Sequence, residues 1–257
     1  MASESDEYDL DSGPDPATFA AERPENPDPE NPVYAIGVGP GNTEYLTPRG
    51  RRAIEEADVV VGFTTVVEFV EEFADDDTEL LTCGYKDEAD ALEAFGERVA
   101  DGAAGTAVLM GDPNHSGYQF VGKVQQAVDT DVRVIPGISS LQMAASRART
   151  PMEDTEFVTL HKSGDISDGL QRLRDNVGER NLLVLPRPYD TMPGDIAADL
   201  IDSGADESLE AVVLEKLTHD DEAMHVQTLG DLAEHAGGDG AEDTPYSDLS
   251  ILAVRVD

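Results

Sequence analysis

The sequence predicts an α/β protein of two domains, each a mostly parallel or mixed sheet flanked by helices. Three observations lead there. From Val33 onward short apolar runs alternate with helical segments, the rhythm of strands buried on both faces and covered by helices. Turns rich in glycine or serine follow three of those runs directly, in GVGPG, MGDPNH and IPGISS. Thr150-Pro151 then breaks the alternation, because proline biases its predecessor away from helix. At 257 residues the chain can bury a large core in two pieces. The expected division is a disordered acidic tail (1–31), an N-terminal α/β domain with a glycine-rich loop (32–149) and a C-terminal α/β domain (150–257).

The tail is rich in Pro, Asp and Glu and nearly devoid of aliphatic side chains, so it cannot bury enough apolar surface to offset the entropy of ordering. After it come a strand at 33–38, a helix over 47–57, the β-branched strand 59–62 and helices near 64–74 and 87–101. The strand 107–110, a helix over 117–128, the strand 132–135 and a helix over 139–147 complete the first domain. In the second, strands are expected at 157–160, 181–185, 211–214 and 249–254, with helices over 167–176 and 193–203. The Gly- and Asp-rich segment 236–244 reads as a surface loop.

Charge narrows the setting. The chain has 55 acidic and 17 basic residues, a formal net charge of -38, with acids spread throughout. That is a surface adapted to high salt, as in a halophile, where at about 1 M the screening length is roughly 3 Å. It argues against a nucleic-acid partner. Cys83, the single cysteine, rules out a disulfide framework and a Cys-rich metal site, and reads as a small apolar residue near a strand end. Without a long apolar run, and with an acidic N-terminus, the chain is expected to be cytoplasmic and without a membrane partner.

Gly37, Gly39 and Gly41 allow positive φ and close approach of a ligand to main chain, or simply build a strand-to-helix turn. As a dinucleotide fingerprint the segment fails, since Asn42 stands where the third glycine is needed and Pro40 lacks an amide donor. Asp112 follows a strand at the carboxyl edge of the sheet, where it can accept from a ribose or amino group while Gly111 lets a ligand lie on the backbone. An Asp-Pro turn accounts for it equally. Ser139 can cap the next helix or, with that helix's free N–H groups, meet a polar ligand. His115 lies in the same loop as Asp112, and His161 ends a strand; His219, His225 and His235 fall in acidic stretches and read as solvated. None has zinc-ligand spacing, so no metal is expected.

The order and wording of these motifs resemble the tetrapyrrole (class III) S-adenosylmethionine-dependent methyltransferases of corrin synthesis. IGVGPGNTEYLTPRGRRAIEEADVVVG is similar to their N-terminal signature, MGDPNHSGYQF to their GDP loop and VIPGISSLQMAA to their PGxSS turn, over about residues 33–257. The GDP loop departs from the pattern, with Met110 in place of Ser and Asn114-His115 after it. PGISSLQMAASRARTPMEDTEFVTLHKSG resembles the branch that methylates C5 of cobalt-precorrin-7. Methylation at C11, C17 or C20, diphthine synthesis, and a non-catalytic corrinoid-binding module stay open.

The resemblance implies a two-domain tetrapyrrole methylase fold, a homodimer, and S-adenosylmethionine as methyl donor. It assigns Gly37, Gly39, Pro40, Gly41 and His161 to the tetrapyrrole, and Gly111, Asp112, His115, Ser139 and Ser140 to the donor, with Tyr189 and Leu217 added by position. No catalytic base is implied. Cations that can meet the substrate's carboxylates, or equally pair at the surface with the abundant Asp and Glu, are Arg49, Arg51, Arg52, Arg147, Arg149, Lys162 and Arg187. One outcome follows from charge alone: circular dichroism during dialysis from about 2 M to about 0.05 M salt is expected to report loosening or unfolding as screening is lost. Equal stability at both ends contradicts the high-salt reading.

Overall fold

The computed structural model describes residues 21–23, 29–84, 86–162, 164–237 and 240–256. Most of the expected disordered tail lies outside them. Within it, the Glu22 amide donates to Gln125 Oε1 and Gln125 Nε2 donates to the Glu22 carbonyl, both at 2.9 Å. The described chain divides into two compact units, one up to Ser140 and one from Leu141 onward.

The first unit contains β1 (Val33–Gly37), α1 (Pro48–Glu55), β2 (Val59–Phe63), α2 (Thr64–Val70), β3 (Glu79–Cys83), α3 (Glu88–Ala100), β4 (Gly105–Leu109), α4 (Tyr118–Ala127) and β5 (Val132–Ile135). Its strands are ordered β3-β2-β4-β1-β5 and every pairing is parallel. One face carries Val33, Ala35, Val61 and Ala107 against Leu92, Phe95, Phe120 and Val124 of α3 and α4. The other carries Ile36, Val60 and Val108 against Ile54 and Val67 of α1 and α2. Burial on both faces is why the central strands read as unbroken apolar runs. Edge strand β3 was not expected. Its sequence ELLTC leaves Leu80 exposed and offers no apolar run, yet it pairs residue by residue with β2 from Val59 to Phe63. Cys83 closes that strand and is buried, as a small apolar residue near a strand end would be.

Local chemistry sets the start of α1. Thr47 stands in extended conformation, its Oγ1 accepts the Gly50 amide at 3.1 Å, and Pro48 opens the helix where its missing N–H is harmless. The helix then buries Gly50, Ala53 and Ile54.

Helix α5 (Ser140–Ala148) precedes β6 (Thr155–Thr159), α6 (Ser167–Asn176), β7 (Asn181–Leu185), α7 (Pro193–Asp202), β8 (Glu210–Glu215), β9 (Ala223–Thr228), α8 (Leu229–Ala233) and β10 (Ser250–Arg255). The second sheet is ordered β6-β7-β10-β8-β9, with β6 and β7 parallel and β10 antiparallel to both β7 and β8. Leu173, Ile196, Leu200, Leu229 and Leu232 from its helices cover Val158, Leu182, Val184, Val213 and Leu252. Both β9 and α8 escaped the sequence reading. Strand β9, AMHVQT, is an edge with Met224 and Val226 more than half exposed, so it shows no buried alternation. His225 lies on this strand and is exposed, as expected of a solvated residue, with Nε2 2.8 Å from Glu215 Oε2.

Helices α3 and α4 meet at a glycine. A Cβ at Gly96 would lie 2.2 Å from the Ala127 carbonyl oxygen. Gly96→Ala is expected to destabilise the protein by about 1–3 kcal/mol, although alanine is the better helix former. Denaturant midpoints in molar salt check this, and a stabilised variant contradicts the close contact.

Candidate functional site

In an all-parallel sheet the carboxyl ends of the strands emerge at one edge, and there β1, β4 and β5 deliver the three sequence motifs. They are knitted main chain to main chain. A Cβ on Gly37 would stand 2.4 Å from the Gly111 oxygen and 2.7 Å from the Gly137 nitrogen; one on Gly137 would stand 2.2 Å from that same oxygen. The Gly111 amide donates to the Gly39 carbonyl at 2.8 Å and the Gly39 amide returns a bond to Gly111 at 3.3 Å. Gly39 and Gly111 have φ of +98° and +65°, which side chains rarely adopt. Gly37, Gly39 and Pro40 are buried, while Gly41 is half-buried. The glycines expected to admit a ligand thus first admit one another's backbone.

Asp112 is buried at 6% exposure and braces this knot. Its Oδ1 accepts the Asn114 amide at 2.8 Å and Asn114 Nδ2 at 3.0 Å, and its Oδ2 accepts the Gly137 amide at 3.0 Å. The His115 ring nitrogen Nδ1 lies 3.7 Å from Oδ1. These bonds make the turn that the Asp-Pro reading expects, and the carboxylate retains acceptor capacity beyond them. The turn Pro113–Gly117 is π-helical, a conformation frequent at functional sites, and the sequence gives no sign of it. Buried Ser139 sits next to Gly111, with half-buried Ser140 opening α5. Met110 and Tyr118, on either side of the turn, are large and exposed.

In the second sheet β6, β7 and β8 run in one direction, so the loops carrying His161, Tyr189 and Leu217 also share one edge. Five non-glycine residues among those described have positive φ, and three of them, Tyr189 (+55°), Lys216 (+49°) and Thr218 (+72°), lie at that edge. Such strain gathers at ligand-binding turns. Sequence reasoning missed Lys216 and Thr218, since neither is a Gly or Asn that would signal the conformation. Leu217 between them is buried and Tyr189 half-buried. Burial pushes the His161 imidazole below its usual range, against a smaller opposing pull from Asp248, so the ring is neutral at pH 7. Arg187 ties two of these loops together: Nη1 donates to the Gly164 carbonyl at 3.0 Å and Nε lies 3.1 Å from Asp190.

Several candidate cations already have protein partners. Arg51 meets Glu55 at 2.7 Å and lies over Phe73, Arg49 lies over Tyr34, and Arg147 meets Glu222 at 2.9 Å. Arg52 and Arg149 are exposed and Lys162 is half-buried. Burial first, then Glu88 and Asp87, pushes the Cys83 thiol up to about 11, so it is un-ionised and not a nucleophile at neutral pH. No cluster of metal-ligating side chains occurs among the described residues, and no helix there is long and apolar enough to cross a membrane.

Known proteins resemble this chain in sequence and in fold. A protein of Methanocaldococcus jannaschii named probable cobalt-precorrin-7 C(5)-methyltransferase is 29% identical over 201 residues, covering 78% of this chain and 91% of that one. The cobalt-precorrin-4 C(11)-methyltransferase of the same organism is 25% identical over 224 residues, covering 82% and 84%. The solved uroporphyrin-III C-methyl transferase from Thermus thermophilus, complexed with S-adenyl homocysteine, superposes with a TM-score of 0.63 at 21% identity over 87% of this chain and 91% of that one. The sequence profile of the tetrapyrrole (corrin/porphyrin) methylases matches residues 32–233, most of the described chain including both loop-bearing edges, and the chain belongs to that family.

Proposed function

We propose that this protein transfers the methyl group of S-adenosylmethionine to C5 of cobalt-precorrin-7, in the synthesis of cobalamin. The observation that carries the C5 assignment is the likeness to the C(5)-methyltransferase relative, which spans 91% of that protein. The Leu160-His161 ending of the β6 segment, which resembles the C5 branch, points the same way. The relative acting at C(11), covered over 84% of its length, favours a second reading, methylation of cobalt-precorrin-4 at C11.

In this reading Gly111, Asp112, His115, Ser139, Ser140, Tyr189 and Leu217 serve the donor. Gly37, Gly39 and Pro40 act from beneath the surface, shaping the loop whose half-buried Gly41 meets the tetrapyrrole with His161. Exposed Met110 and Tyr118 suit a flat apolar macrocycle beside that loop. Held by Gly111, Asp112, His115, Ser139 and Ser140, the sulfonium would supply an electrophilic methyl group to an electron-rich carbon of the macrocycle. The residues are left to orient the two reactants and exclude water. With no proton to move before transfer, the absence of an ionised Cys83 or a charged His161 is no handicap.

Anaerobic turnover of cobalt-precorrin-7 is expected to yield S-adenosylhomocysteine and a product whose new methyl is placed on C5 by NMR. A methyl on C11 of cobalt-precorrin-4 supports the second reading, and binding of tetrapyrrole without release of S-adenosylhomocysteine contradicts both. Asp112→Ala is expected to weaken donor binding by about 1–3 kcal/mol, because it leaves the Asn114 and Gly137 amides without their acceptor and loosens the turn. Calorimetry reads the change, and an unaltered affinity returns Asp112 to a purely local role.

A further inference from the structure

The loop after β8 has a backbone that its sequence does not favour. Lys216 and Thr218 hold φ of +49° and +72°, with buried Leu217 between them. For a β-branched threonine this region is an outlier, and such residues persist only where their surroundings over-determine them. Three bonds do so. The Lys216 amide donates to the Leu249 carbonyl at 2.9 Å, the His219 amide donates to the Lys216 carbonyl at 3.0 Å, and the Thr218 amide donates to Glu222 Oε2 at 2.7 Å. The other Glu222 oxygen accepts from Arg147 Nε at 2.9 Å, from the last turn of α5 and 75 residues away in sequence. The Arg147 bond, and after it the Thr218 amide, holds the Glu222 carboxyl below the usual range despite partial burial. Glu222 is thus ionised at neutral pH and grips the strained amide and the helix end together.

We infer that Arg147 and Glu222 are positioning residues, which clamp residues 216–218 in the conformation that presents Leu217 and its flanking main chain to the methyl donor. The inference rests on the assignment of Leu217 to the donor site. A role in global stability is disfavoured by exposure: the Arg147 and Glu222 side chains are 42% and 28% exposed, and solvent screens pairs of this kind so that they add little to stability. Releasing the clamp instead spreads the loop over several conformations. If the competent one falls to about a tenth of the population, the apparent donor affinity falls about tenfold.

Two measurements on the full chain in molar salt test this: hydrogen–deuterium exchange of residues 216–222, and calorimetric titration with S-adenosylhomocysteine as the probe. Arg147→Ala and Glu222→Ala are expected to speed exchange of that segment and raise the Kd about tenfold, with melting temperatures nearly unchanged. Arg147→Lys is expected to restore most of the affinity. Arg172→Ala, which removes a surface pair with Glu156 in the same unit, is expected to change neither reading. Wild-type binding with an unchanged Kd in Arg147→Ala overturns the clamp, whether or not exchange quickens. A wild-type protein that takes up no S-adenosylhomocysteine overturns instead the donor assignment on which the clamp depends.

Discussion

Everything at the candidate site depends on the contact of three glycines, Gly37, Gly111 and Gly137, across the carboxyl ends of β1, β4 and β5. Main chain approaches main chain there at distances no side chain permits, and the paired amides of Gly39 and Gly111 lock the approach. The buried Asp112 carboxylate completes the join by accepting from two of the three turns' amides. Because each turn is held by the others, the loops have little freedom to adapt separately. Such an edge is preorganised, which is what a reaction needing mainly alignment requires.

The second sheet reaches a comparable end by other means. Its edge turns hold Tyr189, Lys216 and Thr218 in conformations that glycine would adopt at no steric cost. Side-chain bonds from Arg187 and Glu222 keep two of those turns in place. The glycine turns adopt their conformation without steric cost and are held largely by main-chain bonds, whereas the clamped turns depend on charged side chains. In a chain with 55 acids and 17 bases the cations committed to such pairs are scarce resources.

What the sequence revealed and what it hid follow from burial. Strands β1, β2 and β4 were legible because both faces are covered, which forces continuous apolar runs. Edge strands β3 and β9 were not, because a strand with one neighbour and exposed side chains needs no pattern. The glycine, Asp112 and Ser139 motifs were visible since their residue types are the ones such turns demand. Their backbone-to-backbone packing was hidden, because the contacts lie about 70 residues or more apart between Gly37 and Gly111. The positive φ of Lys216 and Thr218 could not be read at all; the bonds that hold this turn come from Leu249, His219, Glu222 and, through Glu222, Arg147, and none announces itself locally.

The position of β10 has a consequence for how the chain acquires its shape. The first sheet uses strands drawn wholly from residues before 136, so its central strand β4 finds both neighbours as soon as that stretch has been synthesised. In the second sheet the strand latest in sequence lies in the middle, between β7 and β8. Until Ser250–Arg255 leaves the ribosome, β6 and β7 form one fragment and β8 and β9 another, each with an open apolar flank. The second sheet therefore cannot be completed until β10 is available to join its two halves. Synthesis stalled or cut short before β10 would leave a finished first unit joined to a sticky, divided second one, a species suited to aggregation and to capture by chaperones.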